Sequence, residues 1–172
     1  MKWLRFAFLI TAAAVIQSSA LMNVVSLTDM HIKPDLLLIL LVYFAINCDS
    51  YDVIIASFAI GFAADITGTL IGPHIISYGI VGTSLAYIRK VILLKHTRQQ
   101  SLTIFVTGIL TYLIAIVLVK LKVTSATGEL FKAFAVSIYS AILWFLIKWP
   151  VITTGKWIGV GAHRFGKKLE EL

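Results

Sequence analysis

The chain has 172 residues, of which 59% are hydrophobic and only 13% charged, against roughly 25% charged in ordinary soluble domains. With a mean hydropathy of +0.95, it reads as an integral membrane protein with no room for a sizeable soluble domain. Its +7 net charge sits on Lys and Arg grouped between apolar stretches and in the C-terminal tail, without a recognition helix or stacking platform, which excludes nucleic-acid binding; the single cysteine, Cys48, excludes disulfide scaffolds and paired-cysteine metal sites within one chain.

A membrane-spanning helix needs about 20 apolar residues, and six segments approach this: residues 3–22, 35–48, 53–70, 74–94, 101–119 and 130–149. The first carries Lys2 and Arg5 ahead of an apolar stretch and Ser18-Ser19-Ala20, a pattern shared with secretory signals. The apolar stretch resumes at Leu21 and Met22, so a retained spanning helix is expected. The second opens at Pro34-Asp35 and is short, either tilted little or reaching the interface through Asn47 and Asp49. Only Cys48 to Asp52 separates it from the third, which forces an antiparallel hairpin. The third contains Gly61 and Asp65, and a turn flanked by Gly68 and Gly72 leads to Pro73-His74 at the start of the fourth. Pro150 is expected to end the sixth, because proline removes a donor and clashes with the preceding turn. The organisation expected is a six-helix membrane domain over 1–150 and a basic interfacial cytoplasmic tail over 151–172, with Trp157 and Phe165 at headgroup level.

Charge asymmetry sets the orientation. With the N-terminus inside, eleven of the 15 Lys and Arg fall on the cytoplasmic side; Lys33, Lys120, Lys122 and Lys132 fall outside. Both termini are then cytoplasmic, and Asp35, Asp65 and His74 all lie toward the outer leaflet. Lys120 and Lys122 are the weakest part of this assignment, since a re-entrant fifth segment would relocate them.

A carboxylate in an apolar span costs roughly 2.5–3.5 kcal/mol at a bilayer centre on insertion scales, so Asp65 needs a reason to be there. It is either bonded to a hydroxyl or backbone donor of a neighbouring helix, with Thr67, Thr69 and His74 nearby in sequence, or it lines a surface for a partner or ligand. A proton relay would need several ionisable groups in series, and the spans are too poor in them. Pro34 and Asp35 suit a helix start, where proline is tolerated and a carboxylate complements the dipole. His74 has the same first-turn position, either hydrogen-bonding at the interface or serving a ligand. Gly79 and Gly82, one turn apart, suit close helix packing or a shallow groove, and Gly68 and Gly72 suit a turn needing positive φ. The sequence holds no serine–histidine pair at lipase-type spacing, no paired carboxylates on one helix face and no phosphate-cradling loop. His31, His96 and His163 share no ligand spacing. No enzymatic activity, metal or cofactor is expected.

Pro34-Asp35, Gly61 followed by Asp65, then Gly68, Gly72 and a helix carrying His74 and Ser77 early on resemble the MreD family of bacterial rod shape-determining membrane proteins. The resemblance implies a non-enzymatic subunit of the cell-wall elongation machinery in the inner membrane. Its implied partners are the bitopic protein MreC and, through it, the MreB filament and a penicillin-binding transpeptidase. It also implies an all-α fold similar to the S components of energy-coupling-factor vitamin transporters. A vitamin-binding S component is the alternative function, although Ala12, Ala13 and Ala14 are followed four residues on by Ile16, Gln17 and Ser18, so the alanine pattern that docks such components is missing. A lipid-binding accessory role draws on the same glycines.

Overall fold

The computed structural model describes residues 2–19, 33–68, 72–89, 97–122 and 129–160. They form six α-helices: α1 (Trp3–Ser18), α2 (Leu36–Asn47), α3 (Ser50–Thr67), α4 (Pro73–Ile88), α5 (Thr97–Lys122) and α6 (Glu129–Ile158). The all-α class expected from the sequence holds. Among the described residues α3, α5 and α6 are long and apolar enough to cross a bilayer, whereas α1 and α2 are shorter apolar helices.

The arrangement follows from α2. Every residue from Leu37 to Ile46 is buried, as expected of a helix that is apolar all round. It touches each of the other helices, and these close around it in the order α1, α3, α4, α5, α6 and back to α1. With twelve residues at 1.5 Å each, α2 is only about 18 Å long, shorter than the hydrocarbon core. It tolerates that length because it meets helices rather than lipid. The outer faces of the surrounding helices carry the exposed apolar side chains, among them Phe8, Phe62, Leu110 and Phe145.

Successive helices run in opposite directions, so the bundle has two ends. At one, the Lys2 amide donates to the Ile158 carbonyl at 3.1 Å, and the Arg5 guanidinium donates to the Trp157 carbonyl at 2.7 Å while lying 4.9 Å from that indole's ring centre. The start of α1 and the end of α6 are thereby fastened together. At the same end Arg89 donates to the carbonyl of Ile46, and Lys148 to the hydroxyl of Thr97.

Pro150 lies inside α6 and does not end it. The helix runs on to Ile158 because that extension is packed: Val151, Gly155 and Ile158 are buried, and a Cβ at Gly155 would strike the Tyr43 ring of α2. Proline removes one amide donor, the one to the Leu146 carbonyl, a loss that membrane helices tolerate. The stop is Gly159 at φ +85°, with the Val160 amide closing onto the Gly155 carbonyl at 2.9 Å. The sixth helix therefore does not end at residue 150; 161–172 lie outside the described residues, as does Thr69.

Candidate functional site

The end of the bundle opposite the α1–α6 clasp gathers the polar side chains. Asp35 is the N-cap of α2: its Oδ1 accepts the Leu38 amide at 3.0 Å, satisfying one of the free donors at a helix start. Because α2 is enclosed, this start is enclosed too, and Asp35 is 5% exposed. Neighbouring helices supply the remaining partners. Gln17 of α1 donates to Oδ1 at 3.2 Å and accepts the Leu37 amide at 3.2 Å. The Tyr78 hydroxyl of α4 donates to Oδ2, and the Tyr112 hydroxyl of α5 approaches the same oxygen at 3.4 Å. The Asp35 amide donates to Ser140 of α6 at 2.9 Å. One carboxylate and its backbone thus tie α2 to α1, α4, α5 and α6.

Asp65, 1% exposed in the last turn of α3, spends its oxygens differently. Oδ2 accepts the amides of Gly72 at 2.8 Å and Ile75 at 3.0 Å, and Oδ1 accepts that of His74 at 3.0 Å. These are the free N–H groups at the start of α4, so a carboxylate from one helix caps the next and lies against the positive end of its dipole. Of the donors nominated from sequence, His74 contributes its backbone only. Thr67 instead donates to the Ala64 carbonyl at 2.8 Å.

Of the two glycines flanking the turn, one has an unusual conformation. Gly72, the N-cap of α4, has φ +120°, a conformation open to glycine and strained for other residues. Gly68 has φ −93° and is extended, so the positive φ expected there is absent. Pro73 follows in the first turn of α4, where its missing amide is no loss. Pro34 is buried just ahead of the Asp35 cap.

Glycines bring α3 and α4 together. A Cβ at Gly61 would meet the His74 carbonyl oxygen at 2.7 Å and the Ile75 Cα at 2.8 Å, both backbone atoms. A Cβ at Gly82 would overlap the Ser57 hydroxyl. At Gly79 the obstacle is only the Phe58 ring. Gly79 and Gly82 therefore face α3, and their close packing leaves no groove on that face.

His74 joins the two carboxylate sites. Its ring stands edge-on to Tyr78 at 6.0 Å and to Tyr112 at 6.5 Å between centres, and its Nδ1 is buried with no hydrogen-bond partner among the described residues. Asp35, Asp65 and His74 are thus brought to one end of the bundle. Sequence reasoning missed Tyr78, Tyr112 and Ser140, since an aromatic hydroxyl or serine in an apolar span carries no signal of which helix it will face. Among the described residues no group of three His, Cys, Asp or Glu is placed to hold a metal ion.

A ring of helices around a short buried helix, with that helix's carboxylate cap satisfied from the ring and three helices long and apolar enough to cross a bilayer, defines an all-α membrane protein. The chain belongs to the family described as rod shape-determining protein MreD, whose family model matches residues 1–154. Among curated proteins and among solved structures, nothing matches.

Proposed function

We propose that the chain is a non-enzymatic subunit of the cell-wall elongation machinery in the bacterial inner membrane. It scaffolds an MreC-like bitopic protein and, through it, MreB and a penicillin-binding transpeptidase, with both its termini cytoplasmic. Membership of the rod shape-determining family supports the setting. The observation that carries the scaffold reading is the internal use of the two buried carboxylates. The oxygens of Asp65 accept three backbone amides, and those of Asp35 accept from α1, α2 and α4. Groups so engaged set the shape of a surface rather than bind a solute. Asp65, at 1% exposure, then influences a partner by fixing the Gly72–His74 turn that the partner meets.

The test is affinity purification of the tagged protein from native membranes in mild detergent, with mass-spectrometric identification of what accompanies it. Recovery of an MreC-like protein and a transpeptidase is expected, and Asp65→Ala should reduce that recovery while leaving the protein in the membrane. Recovery of a coupling subunit with paired ATPases would replace the scaffold with a vitamin-binding component.

A further inference from the structure

A groove of about 490 Å³ runs between α4 and α5 on the outside of the ring, within the usual size range of ligand sites. Its walls are apolar, formed by Ile80, Leu85, Ile88, Leu102, Val106 and Leu110. From Gln99 to Ile114 along α5 it extends roughly 22 Å at the helical rise, close to the depth of one leaflet and a long, narrow shape for a flexible chain. Gln99, Thr103 and Ser84 supply polar groups toward the end where α4 stops and α5 starts.

That end is cationic. Arg98 is exposed in the first turn of α5, next in sequence to the groove-lining Gln99, where the helix has no acidic residue. The sequence from Ile66 to Gly128 contains no Asp or Glu and carries Arg89, Lys90 and Lys95 between the two helices; the acidic residues of that end, Asp49 and Asp52, lie at the α2–α3 junction near Cys48. The start of a helix adds its own affinity for anions.

We infer that the groove holds a membrane phospholipid with an anionic headgroup, one acyl chain lying along α5 and the phosphate meeting Arg98 and the α5 N-terminus. The lining distinguishes this occupant from a partner helix. Helix–helix contacts in membranes favour small residues, and Gly79 and Gly82 of α4 are already committed to α3. The groove presents branched side chains, against which a flexible chain packs and a rigid helix fits poorly.

Native mass spectrometry of the purified full chain, titrated with phosphatidylglycerol or with phosphatidylcholine of identical acyl chains, tests the site. Phosphatidylglycerol is expected to be retained preferentially at one position. Arg98→Gln removes one charge and should weaken retention roughly fivefold. Val106→Trp, which fills the groove from an exposed position, should abolish it, with unchanged thermal unfolding confirming that both variants fold. Equal retention of the two lipids overturns the inference. So does retention that Arg98→Gln weakens but Val106→Trp leaves intact, which would mean adsorption to the basic rim alone. A bound polypeptide lost with Val106→Trp, with neither lipid preferred, would identify a partner helix as the occupant and overturn it equally.

Discussion

Asp35 and Asp65 each bring a carboxylate into apolar surroundings, and each is repaid in hydrogen bonds from donors that would otherwise have none. In hydrocarbon, unsatisfied amides at a helix start have no water to turn to. Asp65→Ala strips three amides of their acceptor and should cost about 3 kcal/mol, with Asp65→Asn intermediate because one oxygen remains. Thermal unfolding in mild detergent measures this, and an alanine variant as stable as the parent would end the capping assignment. Around Asp35 the two tyrosines separate by geometry. Tyr78→Phe removes a well-formed bond to a buried carboxylate and should cost about 1.5–3 kcal/mol. Tyr112→Phe removes a contact of 3.4 Å, beyond the usual range for a hydroxyl donor, and should cost well under 1 kcal/mol. Equal losses in the two variants would mean that Asp35 does not discriminate between them.

At the scale of elements, close approach of α3 and α4 depends on where a missing Cβ points. Gly61→Ala pushes against the backbone of α4 and should destabilise by about 1–3 kcal/mol, the usual cost of overpacking. Gly79→Ala meets the tip of Phe58, which is 45% exposed and free to swing toward lipid, and should be nearly neutral. A reversal of that order in detergent melting would show that α3 and α4 are packed on another face. The sequence makes part of this visible. Apolar runs and Pro-Asp or Pro-His starts placed the helices, and the glycines announced tight packing. Pro150 misled, because only the packing of Gly155 against Tyr43, a contact between residues more than a hundred apart, shows that the helix continues. The fate of Asp65 was legible in kind, a bond to the next helix, but not in detail, since backbone amides leave no mark on a sequence. The second helix was readable as short; that it is central depends on five neighbours closing around it.

Among the described residues Asp35, Asp65, Tyr78, Tyr112 and His74 gather toward one end, and Arg5, Arg89, Arg98, Lys148 and Lys156 toward the other, which also carries Asp49 and Asp52. The clasp of Lys2 on Ile158 places the start of α1 and the end of α6 on the second of these, and in the proposed orientation, with the excess of Lys and Arg inside, that end faces the cytoplasm. Lys120 and Lys122 are the residues that strain the rule, because α5 carries them to the opposite end. The helix itself argues for that placement: it runs unbroken from Thr97 to Lys122 and is long and apolar enough to cross, and long side chains near a helix end reach the interface without burying their charge. Single cysteines at Tyr51 and Leu121, 84% and 80% exposed, mark the two ends, in a background where the buried Cys48 is replaced by alanine. A membrane-impermeant maleimide applied to intact spheroplasts should label Leu121→Cys and leave Tyr51→Cys unlabelled until the membrane is opened. Labelling of Tyr51→Cys alone would invert the molecule and put the carboxylate end in the cytoplasm. Labelling of neither before permeabilisation would make α5 re-entrant, and Lys120 and Lys122 would then join the basic side that the charge rule prefers.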